Sequence, residues 1–198
     1  MIKIGITGGI GSGKTTVCKI FEILGIPVFY ADTVAKEIMV TDPLLVKGIR
    51  DTFGSESFNA AGELNNKHIA KIVFNDKDEL ARLNALVHPA VFRAFDRWMA
   101  AVPANVPYIL KEAALLFESG SYQQCDKSIL VTAPYTTRLQ RVMERDNTTR
   151  EQVQARMDKQ MSDEEKLIMA DFRLVNDEHH PVILQVLQLH HQFLTLTR

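Results

Sequence analysis

A glycine-rich segment ending in a lysine follows the first apolar stretch of the chain, in the sequence MIKIGITGGIGSGKTT. Its spacing, Gly8-x4-Gly13-Lys14-Thr15, matches the pattern of a phosphate-binding loop (P-loop). Glycines let the backbone take positive φ, so that successive N–H groups point inward and no Cβ blocks a phosphate. Lys14 supplies a positive charge for the β- and γ-phosphates, and Thr15 supplies a hydroxyl for Mg²⁺. The residues expected to hold the nucleotide phosphates are Gly9, Gly11, Ser12, Gly13, Lys14, Thr15 and Thr16.

The sequence around this loop predicts a strand before it and a helix after it. Ile2, Ile4 and Ile6 form a short β-branched run typical of a buried strand, and a helix is expected over roughly Lys14–Leu24. The N-terminus of such a helix presents free N–H groups and the positive end of its dipole to the same phosphates. A glycine-rich turn that only connects a strand to a helix is the alternative, which the Lys-Thr pair disfavours in this context.

Five short apolar segments alternate with helical patterns along the chain. They are Ile2–Ile6, Pro27–Tyr30, Pro107–Leu110, Lys127–Val131 and Phe172–Val175. This alternation predicts an α/β fold in which a parallel five-stranded sheet carries helices on both faces. Ligands of such sheets bind beyond the carboxyl ends of the strands, so the residues that directly follow each strand are candidates for a site.

Asp32 is such a residue, because it follows the second strand in the run PVFYAD. A carboxylate there can accept a proton from an attacking hydroxyl, help to organise Mg²⁺, or do both. Aspartate is also a favoured N-cap, so a structural role at the start of the helix predicted for TVAKEIM is an equal alternative. Glu112, after the third strand, is then the next candidate for a base. Asn176 follows the fifth strand in the same way.

Arginines at three- and four-residue spacing share one predicted helix face, at Arg138, Arg141 and Arg145. Guanidinium groups stabilise the charge of phosphate oxygens during phosphoryl transfer. Acidic neighbours make surface ion pairing an equal alternative for each arginine. A lone histidine such as His88 is usually structural, although in a domain facing a phosphate-rich substrate it can bind that substrate. Because Pro89 follows it, a helix start is expected at this point.

Two segments interrupt the alternation of strands and helices. Residues 33–102 contain several helical patterns without a clear strand and are too long for a simple crossover, so we interpret them as a helical substrate-binding domain. Residues 137–169 are rich in arginine and glutamate with little apolar content, which predicts a solvated, mobile helical lid. Residues 1–32, 103–136 and 170–198 then form the nucleotide-binding core.

The composition is that of an ordinary globular protein with a single α/β domain and insertions. The 198 residues are 46% hydrophobic with a formal net charge of -1, so no overall basic field favours nucleic acid. Cys18 and Cys125 lack the spacing of a metal site, which favours reduced cysteines in a cytoplasmic protein. The chain has neither the N-terminal pattern of a signal peptide nor an apolar run of about 18 residues. We therefore expect no nucleic-acid or membrane partner.

Six segments together resemble dephospho-CoA kinases, a family of small ATP-dependent kinases. In chain order they are ITGGIGSGKTT, ADTVAKEI, VHPAVF, ALLFESG, RLQRVMERD with TREQVQARMDKQ, and ADFRLVND. The first is distinctive by itself, whereas the others carry the resemblance through their combination and order over nearly the whole chain.

The resemblance implies transfer of the γ-phosphoryl group of ATP to the ribose 3′-hydroxyl of 3′-dephospho-CoA, giving CoA and ADP in the last step of CoA synthesis. It implies a nucleotide-kinase-like core, a helical CoA-binding domain and a lid. By position, Asp32 is the implied catalytic base, Lys14 holds the ATP phosphates and Thr15 serves Mg²⁺. A cytoplasmic monomer with only small-molecule partners is expected.

Further roles are implied outside the P-loop. Thr7 and His88 belong to the acceptor side, Arg141 acts from the lid, and Asn176 lies near the adenine of ATP. The chain departs from the family at Ala114, where a proline is usual. This difference concerns the loop of residues 112–118, including Glu118, and not the transfer residues.

Three other functions are alternatives on the residues alone. A kinase acting on a nucleoside or a shikimate-like alcohol would differ only in its acceptor. A nucleotide-gated switch would hydrolyse its nucleotide, but NNKHI at residues 65–69 lacks the aspartate of a guanine-binding motif. A nucleic-acid kinase is disfavoured by the neutral overall charge.

Overall fold

One parallel sheet organises the computed structural model, which describes residues 1–74 and 76–196. Its strands are β1 (Ile2–Thr7), β2 (Val28–Tyr30), β3 (Tyr108–Glu112), β4 (Lys127–Thr132) and β5 (Phe172–Val175). Their order across the sheet is β2-β3-β1-β4-β5. The predicted α/β fold with a parallel five-stranded sheet is therefore confirmed, with strand ends that differ by no more than about two residues.

The helices belong to two compact units. In chain order they are α1 (Lys14–Ile23), α2 (Ala31–Thr41), α3 (Pro43–Phe53), α4 (Asn66–Val73), α5 (Lys77–Ala101), α6 (Tyr135–Asp146), α7 (Arg150–Met157), α8 (Asp163–Met169) and α9 (Val182–Leu196). The second unit is Ala31–Ala101, and the first consists of the chain on either side of it. The first unit therefore holds the whole sheet, and it includes residues 137–169.

One face of the sheet forms the main core of the first unit. Ile4 and Ile6 of β1 lie in register with Leu110 of β3 and Ile129 of β4, respectively. Because side chains alternate along a strand, these residues share a face. They pack with buried residues of the helices α1 and α9, among them Val17, Phe21, Val186 and Phe193. This packing fixes α1, and with it the end of the P-loop.

The opposite face is covered by the segment after β3. Gly5 of β1 approaches Leu116 so closely that a Cβ at position 5 would lie 2.7 Å from its side chain. Lys111 is fully buried on this face, and its Nζ donates to Gln124 Oε1 at 2.5 Å. The same segment is tied to α8, because the fully buried Lys166 Nζ lies 2.9 Å from Glu118 Oε1.

Residues 137–169 pack more firmly than the sequence indicated. Leu139 and Val142 of α6 form a small buried cluster with Val153 and Met157 of α7, and Ile10 of the P-loop packs against it. Apolar residues three and four positions apart share a helix face, so two such pairs are enough for a local core. Most residues of the segment are exposed, as predicted, but it also has a small core that the sequence did not indicate. Its mobility stays a prediction.

The second unit is helical, with an isolated antiparallel bridge between Phe58 and Leu64. Asp42 caps α3 by accepting from the backbone N–H groups of Leu44 and Leu45, and it pairs with Arg93 of α5. The 25-residue α5 runs through Pro89. The expected helix start at His88 is therefore wrong, because the buried face of α5 continues on both sides of the proline.

Both cysteines behave as structural residues. Cys18 is buried in the main core, and neither it nor Cys125 forms a disulfide. Burial raises the pKa of the Cys125 thiol to about 11, and it raises the pKa of Cys18 further still. Thiols of this kind are poor nucleophiles at neutral pH.

Within the described ranges, no helix has both the length and the apolar character needed to cross a membrane.

The core packing predicts that alanine substitutions at two isoleucines change the free energy of unfolding by different amounts. Ile129 is fully buried in β4, whereas Ile183 of α9 is 60% exposed. Ile129→Ala should lower the free energy of unfolding by about 2–5 kcal/mol, because it removes buried methyl groups and leaves a cavity. The matched Ile183→Ala should change it by no more than about 0.5 kcal/mol. Urea denaturation followed by circular dichroism measures both, and equal effects would contradict the packing described above.

Candidate active site

The P-loop is a turn between β1 and α1 whose backbone is open to an anion. Gly13, the N-cap residue of α1, adopts a left-handed conformation with φ 89°, and no side chain of residues 1–74 or 76–196 caps the helix. The first-turn N–H groups of α1 therefore have no partner from a capping side chain. Uncapped N–H groups and the positive end of a helix dipole are the features that bind phosphate.

Lys14 and Ser12 supply polar side chains to this turn. Lys14 Nζ donates to the carbonyl of Gly8 at 2.9 Å, which folds the lysine back over the loop. The Ser12 hydroxyl is buried, and within the described structure it has no hydrogen-bond partner. A buried hydroxyl left unpaired costs about 1–3 kcal/mol, so a ligand oxygen would offset this cost. Thr15 and Thr16 are exposed on the first turn of α1.

Ile10, at the tip of the P-loop, is held by two side chains from residues 137–169. Arg138 Nε donates to the Ile10 carbonyl at 3.1 Å, and the Ile10 N–H donates to Gln160 Oε1 at 2.8 Å. Arg138 is only 12% exposed and pairs with Asp163 of α8 at 2.9 Å. Its guanidinium lies over Gly9, where any Cβ would collide with it.

Arg138 and Gln160 are residues that sequence reasoning missed. The sequence placed Arg138 on a basic face but selected Arg141 as the functional arginine. A signal for Arg138 was present, since it lies in the first turn of the helix that directly follows β4. Gln160 lies between helices and belongs to no motif, so only the fold brings it to the P-loop.

Asn176 and Arg141 brace the other side of the P-loop. Asn176 Nδ2 donates to the Ser12 carbonyl at 2.8 Å, and its backbone N–H donates to Thr132 at 2.7 Å. Arg141 donates to the carbonyl of Asn176 at 3.4 Å. The Asn176 amide is so close to Gly13 that a Cβ there would collide with it. The structure thus brings both predicted residues to the end of the P-loop.

A cavity of about 590 Å³ lies beyond the carboxyl ends of β4 and β5. Arg138, Asp163, Arg173 and Asp177 are among its lining residues, so it shares Arg138 with the P-loop. A hydrogen bond with the His180 side chain lowers the pKa of Asp177 to about 2. The cavity is therefore lined by charges of both signs next to the phosphate site.

Thr7 and Glu112 lie at the carboxyl edge of the sheet. Thr7 is fully buried, and its hydroxyl donates to the carbonyl of Ala114 at 3.2 Å. Because this contact uses a backbone carbonyl, the alanine in place of the usual proline preserves the acceptor. Glu112 is buried and lies in register with Ile6 of β1 and Tyr30 of β2.

Asp32 and His88 belong to the second unit. Helix α2 begins at Ala31, so Asp32 is an exposed residue of its first turn and not the N-cap predicted by the structural alternative. It follows Tyr30, the last residue of β2, by two positions. His88 lies inside α5, and burial lowers the pKa of its imidazole. The structure thus groups Lys14, Ser12, Arg141 and Asn176 in one unit. Of the acceptor-side candidates, Thr7 lies in that same unit, whereas Asp32 and His88 lie in the other.

Comparisons with known proteins identify the family of the chain. The family model for dephospho-CoA kinase matches residues 2–181. A dephospho-CoA kinase of Bacteroides fragilis strain YCH46 is 39% identical over 188 residues, which are 95% of this chain and 91% of that protein. A dephospho-CoA kinase of Salinibacter ruber is 42% identical over 178 residues, 89% of each chain.

Solved structures show the same similarity. A crystal structure from Thermus thermophilus has a TM-score of 0.85 at 34% identity and covers 96% of each chain. The dephospho-CoA kinase from Campylobacter jejuni has a TM-score of 0.71 at 27% identity, with 99% of this chain and 98% of that chain covered. The shikimate kinase from Acinetobacter baumannii, at 15% identity and a TM-score of 0.55, shares the fold. With a P-loop after the central strand and family similarity over most of its length, the chain belongs to the dephospho-CoA kinase family.

Proposed function

We propose that the P-loop and Arg141 hold ATP while Asp32 activates the acceptor hydroxyl. The reaction follows from the family: the chain transfers the γ-phosphoryl group of ATP to the ribose 3′-hydroxyl of 3′-dephospho-CoA, giving CoA and ADP in the final step of CoA biosynthesis. The residue assignment depends above all on one observation, the uncapped N-terminus of α1 directly behind the glycine turn.

The phosphates of ATP occupy the turn of residues 8–13 in this proposal. The backbone N–H groups of the first turn of α1 bind them, and the Ser12 hydroxyl gains a hydrogen-bond acceptor. The N–H groups of Ile10 and Ser12 already donate to Gln160 Oε1 and to the Gly9 carbonyl. Lys14 exchanges its bond to Gly8 for the β- and γ-phosphate oxygens, which are stronger acceptors because they are charged. These groups compensate the charge that moves toward the leaving oxygen during transfer.

Arg141 and Asn176 extend the ATP site from the phosphates toward the base. The bond from Arg141 to the Asn176 carbonyl keeps the guanidinium at the end of the P-loop, where it can stabilise the transferring phosphoryl group. We assign the adenine to the neighbourhood of Asn176, next to the cavity lined by Asp177. Arg138 positions the loop in this account, because its side chain is engaged by Ile10 and Asp163.

Asp32 is assigned as the base that accepts the 3′-hydroxyl proton. Its carboxylate is exposed in the first turn of α2, where the helix dipole stabilises negative charge. It also follows a strand of the parallel sheet directly, which is the usual origin of ligand-binding residues in such folds. His88 is assigned to binding of the acceptor, and Thr7 supports the acceptor side by fixing the Ala114 loop.

Mg²⁺ fits the donors that the P-loop offers. No group of three or more histidine, cysteine, aspartate or glutamate side chains able to hold a metal occurs among the residues with described positions. Mg²⁺ commonly binds through substrate phosphates, waters and one or two protein oxygens, so the exposed Thr15 hydroxyl is a suitable ligand. When bound, Mg²⁺ would neutralise charge on the β- and γ-phosphates.

The segment of residues 137–169 contacts the P-loop directly. Residues 137–169 are assigned as a lid that closes over ATP, because Arg138 and Gln160 connect them to the P-loop. A cytoplasmic location is proposed, in keeping with two cysteines that form no disulfide, and a monomer is proposed as the working form.

An acceptor screen tests the activity and the P-loop together. With Mg²⁺ and ATP, ADP release should depend on 3′-dephospho-CoA and stay low with adenosine, nucleoside monophosphates or no acceptor. Lys14→Ala should reduce kcat by about 10²–10³-fold, the usual effect of removing a group that stabilises transition-state charge. Lys19→Ala, an exposed lysine of the same helix, is the matched control. Fast ADP release without acceptor would instead favour a nucleotide-gated switch.

Asp32→Asn should separate catalysis from structure. The amide keeps the size of the side chain but cannot take the proton, so kcat should fall by about 10²–10⁴-fold with melting temperature and ATP binding little changed. Asp96→Asn, an exposed aspartate of α5, is the control for charge. If Asp32→Asn kept full activity while Glu112→Gln was inactive, the catalytic base would be Glu112 and not Asp32. A fall of less than tenfold would indicate orientation of the hydroxyl and not proton abstraction.

Hydrogen exchange tests the lid. Amides of residues 137–169 should exchange more slowly when Mg²⁺ and a non-hydrolysable ATP analogue are added, because closure adds contacts to a segment with a small core. Strand β1, which is buried in the middle of the sheet, should show no change. Equal exchange of residues 137–169 with and without the analogue would remove the lid from the mechanism.

A further inference from the structure

The Glu118 carboxylate is shared by two donors from the segment of residues 137–169. Its Oε1 accepts from the backbone N–H of Met161 at 3.1 Å and lies 2.9 Å from Lys166 Nζ. The Lys166 side chain is fully buried, whereas that of Glu118 is 20% exposed. Within residues 1–74 and 76–196, Lys166 Nζ makes no hydrogen bond of normal geometry, so the nearby carboxylate compensates its buried charge electrostatically.

Glu118 belongs to a turn that is fixed against the sheet. It follows Leu116 and Phe117, which are both buried. Leu116 lies so close to Gly5 of β1 that a Cβ at that glycine would be 2.7 Å from its side chain. The turn is closed by a bond from the Gly120 N–H to the Phe117 carbonyl at 3.0 Å. Glu118 is therefore attached to the strand that leads into the P-loop.

Gln160, which binds the P-loop, directly precedes Met161 in the chain. Its Oε1 accepts from the Ile10 N–H at 2.8 Å. Gln160 lies in the connection between α7 and α8, outside both helices, so no helix fixes its backbone. The bond from Met161 to Glu118 holds this connection one residue away. Because the peptide that joins neighbouring residues is planar and rigid, the position of Met161 determines where the Gln160 side chain starts.

We propose that Glu118 is a positioning residue that keeps Gln160 on the P-loop and so keeps the loop in its phosphate-binding conformation. The inference rests on the P-loop holding the ATP phosphates. Glu118 touches no reacting group in this account and acts through Gln160. A loop that is already held in one conformation loses less conformational entropy when a ligand binds, so the loss of this support should weaken ATP binding.

Two variants with a control test this proposal by nucleotide affinity. Glu118→Ala combined with Lys166→Met removes the attachment without leaving a buried charge, and apolar replacement of a buried ion pair commonly preserves the fold. Gln160→Ala removes the contact with Ile10 itself. Each should raise the Kd of an ATP analogue, measured by titration calorimetry, and KM for ATP by about five- to tenfold, with KM for 3′-dephospho-CoA unchanged. Glu56→Gln, at a side chain that is 81% exposed, should change none of these constants.

Combining the substitutions shows whether Glu118 acts through Gln160. In the variant that carries all three, ATP affinity should fall no further than in Gln160→Ala alone, because the contact to be positioned is already absent. Lys166→Met alone keeps the bond from Met161 to Glu118 and should retain nearly the affinity of the wild type. Effects that multiply in the triple variant would overturn the proposal.

Amide exchange at Ile10 gives a readout that does not depend on turnover. In Gln160→Ala and in the double variant at Glu118 and Lys166, the Ile10 N–H should exchange at least about fivefold faster, while Ile4 in the buried part of β1 stays unchanged. A lower melting temperature with normal Ile10 exchange and normal ATP affinity would make the ion pair a structural support of α8 alone and overturn the proposal.

Two further outcomes keep the test decisive. Gln160 is partly exposed, so unchanged Ile10 exchange in Gln160→Ala would overturn the proposal even if the double variant did not fold. Absence of wild-type turnover with 3′-dephospho-CoA would instead overturn the proposed function, and the exchange result at Ile10 would stand.

Discussion

The nucleotide site depends on one constraint, that the backbone of residues 8–13 keeps a single conformation behind which the N–H groups at the start of α1 are open to phosphate. The turn itself cannot ensure this, because its glycines are the residues with the most conformational freedom. The structure restrains it from outside. Asn176 binds the Ser12 carbonyl, and Arg138 and Gln160 bind the two backbone groups of Ile10. The sheet then fixes β1 and α1 at either end, so the loop is ordered before a ligand arrives.

The same restraints connect the P-loop to two other parts of the chain. Asn176 follows β5, and its position is set by the backbone bond to Thr132 at the end of β4. Arg138 and Gln160 come from the segment assigned as a lid, so any movement of that segment changes the partners of Ile10. Asp32 and His88, which are proposed to act on the acceptor, by contrast belong to the second unit. Except for Thr7, the residues proposed for ATP and those proposed for the acceptor therefore lie in separate parts of the sequence.

The sequence predicted the fold and the P-loop well, because both depend on local patterns. Alternating β-branched residues identify strands, and the spacing from Gly8 to Thr15 identifies the loop without knowledge of distant residues. The small core around Leu139 and Val153 was missed, since it needs two helices whose packing no single pattern records. Gln160 was missed for the same reason, as its partner lies 150 positions earlier. The course of α5 through Pro89 shows tertiary packing overriding a local signal.

The ion pairs of residues 137–169 differ in their access to water. At the end of α6, Asp146 pairs with Arg145 and Arg156, and both arginines are about half exposed or more. At α8, Lys166 is fully buried against Glu118, and Arg138 is nearly buried against Asp163. Mobile ions screen exposed charges strongly and buried charges weakly. Ionic strength therefore acts unequally on the segment, loosening its outer end first while the attachment through α8 persists.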